Sequence, residues 1–350
     1  MFDDKMKAAF QGTGGAYCQM CMFSKVNCHQ VDYVANGFPV DRTIENMHTI
    51  FSKLSSEGEI PVTVQADDYG TRAGVTAEPI THRDSNTSIS DTHAWLNCCS
   101  WFLNILYHLV AGDKTWGFGN KADLRHKRLM KAKGKTQRIL AKELGMNIDT
   151  ADATGQSGNS IKGPIAKRFF SKKCRDLLPE LLKKPNLGIA KTLHLNLEVI
   201  LRLISSKEHK IDIEKFKELC TNTYLHVLLN LKWVFLTPTA HKVLAHAPEL
   251  MEKNMCRGLG NLSEEGLEAC HKIIRRFRTY WTLQLNDDAN IKDLIRKMWL
   301  VSDPLFYSYR RTIKCSKCGS IGHQKKCPQV QKNTKNQSQA DLMVEDMIMN

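Results

Sequence analysis

Three groups of cysteines and histidines in this chain sit at spacings that could hold a metal. Cys18 and Cys21 form a C-x-x-C, whose thiolates can grip one zinc but need two further ligands. Cys28 and His29 are the nearest in sequence, and a redox dithiol is the other reading of the pair. His241 and His246 lie five apart, a poor one-face spacing for an α-helix that suits a turn or a helix end. Cys315-x2-Cys318-x4-His323-x3-Cys327 brings four soft ligands together, with Gly319 and Gly322 to permit tight turns. This is close to a zinc knuckle, its last gap one residue short of the retroviral form. Lys314, Lys317, Lys325 and Lys326 around it point to nucleic acid.

A carboxylate that could do chemistry follows the two histidines. Ser263 is a natural N-cap, Glu264 and Glu265 suit the positive end of a helix dipole, and Leu267, Cys270, Ile274, Phe277 and Trp281 recur as one apolar stripe. Glu268 falls beside that stripe, at the rim of a core. Its ordinary role would be an i,i+4 pair with Lys272. Arg275, Arg276 and Arg278 point away and suit a polyanion.

Composition narrows the partner. The chain has 350 residues, 42% of them hydrophobic, enough for a real core. No apolar run reaches the length of a membrane span, so no membrane partner is expected. Twelve cysteines without a secretory segment suggest a reducing compartment and metal ligation rather than disulfides. The net charge of +14 favours a nucleic acid or another acidic partner, and the charge alone would also fit an anionic membrane surface. The densest basic run is 121–142, where Arg125, Lys127, Arg128, Lys131, Lys133, Lys135 and Arg138 are not offset by acids, as phosphate contact requires. Few aromatics interleave there, which disfavours a single-strand stacking role for that run.

The runs HKVLAHAPELME (241–252) and SEEGLEACHKIIRRFR (263–278) resemble the C-terminal catalytic region of the V(D)J recombinase catalytic subunit and of the related Transib transposases. The likeness extends, patchily between 31 and 90, over most of the chain. It includes the Gly/Thr/Asn-rich loop leading into Ala166, Lys167, Arg168 and Phe169. The cysteine-histidine tail is similar to that of invertebrate recombinase-like proteins. The resemblance implies an RNase H-like DDE core with a large helical insertion. In it, Glu268 (or its neighbours Glu264 and Glu265) and Asp3 (or Asp4) would ligate catalytic Mg or Mn. It further implies that Cys18, Cys21, His241 and His246 share one structural Zn, with a second Zn in the knuckle at Cys315, Cys318, His323 and Cys327. Arg125, Lys127, Arg128, Lys131, Lys135, Arg138, Lys167, Arg168, Arg275 and Arg276 would hold double-stranded DNA.

The fold expected is therefore mainly α with few short strands. The end of an RNase H-like segment lies at 1–30, a mostly helical insertion at 31–236, and the histidine pair with the glutamate helix at 237–305. A knuckle follows at 306–330 and a disordered tail at 331–350, with room for a short helix at its very end. The first aspartate of the DDE set would precede Asp3, so the chain reads as a fragment of a larger recombinase that is inactive alone. The whole protein would nick, hairpin and transfer DNA in the nucleus, as a homodimer with an accessory subunit. The alternative is a degenerate or domesticated zinc-stabilised DNA-binding protein without catalysis.

Overall fold

The computed structural model describes residues 18, 20–21, 43–56, 75, 89–120, 123–148, 161, 163–262, 265–282, 286–302 and 338–349. The expected mainly helical fold holds. Helix α1 is Ile44–Ser56, α2 Asp91–Ala111, α3 Leu124–Leu144 and α4 Gly163–Phe169. Two short turns, α5 (Lys172–Arg175) and α6 (Leu178–Leu181), lead into α7, Lys184–Ile204. Strand β1 (Lys210–Ile211) precedes α8 (Ile213–Asn230) and α9 (Pro238–His241). A π-turn over Lys242–His246 then joins α9 to α10, Ala247–Lys253. After a 3-10 turn at Leu259–Leu262 come α11 (Glu265–Tyr280), α12 (Asp287–Ser302), α13 (Gln339–Met347) and β2 (Ile348–Met349).

Two compact units divide the chain, 264–337 forming one and the remainder the other. The larger unit is built on α2 and α7, which pack on one another. Helix α2 is apolar nearly all round and buries thirteen of its 21 residues, as a central helix must. Ser90 caps its start by accepting from the His93 N–H, and Gly112, at φ 68°, ends it in the left-handed region. Trp95 donates from Nε1 to Ser205 Oγ at 2.7 Å, and Trp101 donates to the Phe235 carbonyl at 3.0 Å. These two bonds fix α2 against the end of α7 and against the segment that enters the π-turn. His108 is buried among Trp116, Phe118 and Trp233. Its Nδ1 makes no hydrogen bond and stands 3.9 Å from the Asp113 carboxylate. Burial holds its pKa below the usual histidine range.

The short terminal helix that the tail allowed for is present: residues 339–347 form a helix with a full capping box at Ser338 and Asp341. Asp341 accepts from Arg202 at 2.8 Å and Asp346 from Lys215 at 3.0 Å. Strand β2 then pairs antiparallel with β1, Lys210 opposite Met349 and Ile211 opposite Ile348. The reason is local: the polar stretch before Ser338 carries no helix signal, whereas QADLMVEDM buries Ala340 and Met347 against the core. Gly258 and Gly260 pack on the carbonyls of Leu203, Ser205 and Ser206 at the end of α7, where any Cβ would collide with backbone.

Candidate metal centre

The π-turn is what makes His241 and His246 usable together. On an α-helix, side chains five apart diverge by about 140°; i,i+5 geometry widens the turn so that they return to one face. Sequence reasoning placed this pair in a turn or helix end, whereas it lies in a continuous helical run. Pro248, in the first turn of α10, lacks the N–H an α-helix would direct to the Leu244 carbonyl, which favours the wider turn. Thr237 accepts from the Ala240 N–H and Pro238 follows it, so α9 starts at a fixed point.

Onto this turn fold Cys18 and Cys21, from the other end of the sequence. His241 Nε2 and His246 Nε2 each lie 3.2 Å from Cys21 Sγ, across 220 and 225 residues respectively. The ligating atoms of Cys18, Cys21, His241 and His246 all fall within 4.8 Å of one another, and all four side chains are buried. A tetrahedral zinc holds neighbouring S and N ligands about 3.3–3.8 Å apart, a range the observed separations bracket. These four residues could thus hold a metal ion such as zinc.

The surroundings suit that role. With Nε2 of both imidazoles turned inward, Nδ1 faces out. His241 Nδ1 meets the Tyr224 hydroxyl at 3.3 Å, and His246 Nδ1 stands 4.0 Å from a Glu249 carboxylate oxygen. The Tyr224 hydroxyl is an outer partner of the kind that fixes a ring and its tautomer, whereas the 4.0 Å separation at His246 is too long for a hydrogen bond. The Met20 N–H donates to Cys18 Sγ at 3.4 Å. Burial pushes the Cys18 thiol up, but its contacts with Cys21, His241 and His246 outweigh burial and leave it well below its ordinary value. Burial also holds His241 down at about 4, neutral and able to donate a lone pair. The contrast lies elsewhere in the core. Burial raises Cys98 and Cys174 to about 12 and Cys99 and Cys220 well above the usual range, so these thiols stay protonated.

The other expected site residues divide. Asp3, Asp4, Cys315, Cys318, His323 and Cys327 lie outside the described residues. Glu268 belongs to helix α11, but its side chain lies outside them too. Lys127, Arg128, Lys131, Lys135 and Arg138 stand exposed on α3, and Arg275 and Arg276 on α11. On α3, Lys127, Lys131, Lys135 and Arg138 step by four, four and three, one cationic stripe about 17 Å long. Leu129, Ala132, Thr136 and Leu140 bury the opposite face.

Three of the expected phosphate ligands also make contacts within the chain, Lys167 and Arg168 while still exposed. Arg125 donates from Nε to Asp113 at 2.6 Å and from Nη2 to the carbonyls of Thr115 and Gly117. Gly117 at φ 84° and Gly119 at φ 69° shape the turn that presents these acceptors. Lys167 lies 3.7 Å from Asp91 and over the Trp95 ring, and Arg168 caps the end of α3 through the Leu144 carbonyl. Spacing alone could not separate these from the free cations, because their acceptors come from other elements.

Sequence reasoning also missed a buried polar chain in α7. Arg175 donates to Glu198 at 2.5 Å, and Arg202 joins Glu198 to Asp341. His194 sits beside it with Nε2 donating to the Phe169 carbonyl at 2.9 Å, and burial lowers it to about 3. Polar residues inside an otherwise apolar helical pattern were the available signal. No protein-family model matches the sequence, and no curated protein matches it either.

Proposed function

We propose that this chain is the zinc-stapled, DNA-holding part of a recombinase-like DDE transposase. The observation that carries the reading is the meeting of Cys18 and Cys21 with His241 and His246, residues more than 200 positions apart. The recombinase resemblance requires that quartet, whereas a local knuckle or redox dithiol at Cys18 and Cys21 does not. The exposed α3 stripe adds a surface suited to a duplex backbone.

In this proposal the zinc is structural, since four protein ligands leave no open position for water. Asp3 and Glu268 contribute two carboxylates of an RNase H-like metal site. Magnesium or manganese there supplies activation of a water or 3′-hydroxyl for in-line attack at phosphorus. Lys127, Arg128, Lys131, Lys135 and Arg138 hold the phosphates of double-stranded DNA, a sequence-independent task. The knuckle takes a second zinc. The working protein is a nuclear homodimer with an accessory subunit.

Two measurements on the purified chain test this. Zinc analysis should give two equivalents, falling by one in Cys21→Ala and in His246→Ala. For the catalytic site, Fe(II) with ascorbate and peroxide should cut the backbone beside Asp3 and Glu268, and Glu268→Gln should abolish both cuts. Retention of both zincs in the variants would remove the staple. Absence of the iron-dependent cuts from the wild-type chain, with duplex binding intact, would leave a non-catalytic zinc-stabilised DNA-binding protein.

A further inference from the structure

Helices α11 and α12 present aromatic rings to solvent. Tyr280 is 77% exposed, Trp281 58% and Trp299 76%. Trp281 was expected to close the apolar stripe of α11 against a core, and it does not. Tryptophan is highly buried on average, so two open indoles on one small unit are unusual.

Among the described side chains, the charge left without an ion pair near them is that of arginines. Arg275, Arg276 and Arg278 on α11 and Arg296 on α12 are exposed, and none makes an ion pair with a described residue. The two described acids of α12 are already engaged, Asp288 with Lys292 at 2.7 Å and Asp293 with Lys297 at 2.5 Å. Lys297 also donates to the Trp281 carbonyl, which fixes the end of α11 against α12 and holds Trp281 in place.

Uncompensated guanidinium groups beside open indole faces match a ligand that is polyanionic and carries free π surfaces. A duplex hides its base faces by stacking; a single strand offers them. An apolar protein partner would leave four arginines to be desolvated without counter-charge. The sequence of the same unit runs on into the Cys315–Cys327 pattern, a motif type that holds unpaired bases, although those residues lie outside the described ones. We propose that the α11–α12 unit binds single-stranded DNA, with Trp281 and Trp299 stacking on bases and Arg275, Arg276, Arg278 and Arg296 on phosphates. The proposal does not rest on the transposase reading and assigns a task distinct from the duplex stripe of α3.

The test is a titration of the full chain with a dT oligomer of roughly fifteen nucleotides, followed by tryptophan fluorescence, beside the matching dA·dT duplex. The oligomer should quench the exposed indoles. Trp281→Ala and Trp299→Ala should each weaken its binding about tenfold, while phenylalanine at both positions restores most of it. Duplex affinity should hold. Because a tryptophan variant could disturb the hairpin, the double variant Arg276→Gln, Arg296→Gln gives a second readout. It should lower the salt slope for the oligomer by about 1.4. Wild-type affinity in the alanine variants, or an equal loss for duplex and oligomer, would overturn the proposal. So would a dimer that these variants break while oligomer binding stays unchanged.

Discussion

Around Cys21, four ligating side chains from opposite ends of the sequence are sealed from water; along α3, five cations drawn from twelve consecutive residues stand in it. Both groups concentrate polar chemistry, yet they obey opposite rules. The buried quartet is cooperative, because removing one ligand leaves three desolvated polar groups without their common partner. In the proposed duplex contact the stripe is additive, because each cation would act on its own phosphate through a high-dielectric medium. Damage to the first should therefore appear as lost stability, and damage to the second as lost affinity at constant stability.

The largest effect should follow a break in the quartet. Cys21→Ala, or stripping the metal with a chelator, should cost on the order of 5 kcal/mol, roughly 10–20 °C in Tm. A melting curve indifferent to chelator would show that no metal staples the two ends. Next in size is the scaffold that carries the turn. Trp101→Ala removes a fully buried indole and its bond to the Phe235 carbonyl, an expected loss of about 3–5 kcal/mol in urea unfolding. If the loss is under about 1 kcal/mol, α2 does not hold the segment entering the π-turn.

Acid should touch the interior before the surface. Buried His194 has a folded pKa of about 3, below its unfolded value of about 6.5, so below that value the unfolded chain takes a proton that the folded one refuses. Its contribution is thus intact above about pH 6.5 and falls by about 1.4 kcal/mol per pH unit on acidification from there towards 3. His194→Gln should flatten that slope in a series of unfolding midpoints between pH 4 and pH 7, as flagged by the same linkage; an unchanged slope would assign the proton uptake to other groups.

The smallest effect on stability, and the sharpest separation, lies on α3. Lys131→Ala with Lys135→Ala should shift stability by less than about 0.5 kcal/mol, yet lower the salt slope for duplex binding by about 1.8. Arg125→Ala, about two helical turns from Lys131, should do the reverse. It loses about 1–3 kcal/mol with the Asp113 and Gly117 bonds and leaves the salt slope alone. Equal behaviour of Arg125 and Lys131 would erase the distinction between inward and outward cations.

Much of the helical fold was legible. Helix α2 between Ser90 and Gly112, and the basic run that became α3, follow from capping residues, apolar content and charge. The cysteine and histidine pairs were visible as candidates, but their union came from a family resemblance and not from spacing. The five-residue histidine gap even argued against a shared helical face until the π-turn supplied one. Arg125 and Lys131 look alike in sequence, and only the Gly117 turn and Asp113 distinguish them. The short C-terminal helix was legible as an option, but its docking through Asp341 on Arg202 was not.

By itself the sequence determined which segments are helical, which helix is fit to be buried, and that cationic charge gathers at 121–142. These are properties of short windows, set by periodicity, capping and composition. Tertiary structure decided which thiols meet which imidazoles, which arginines face inward, and where Trp281 points. Those outcomes depend on contacts between residues tens to hundreds of positions apart, whose free energy no local pattern encodes.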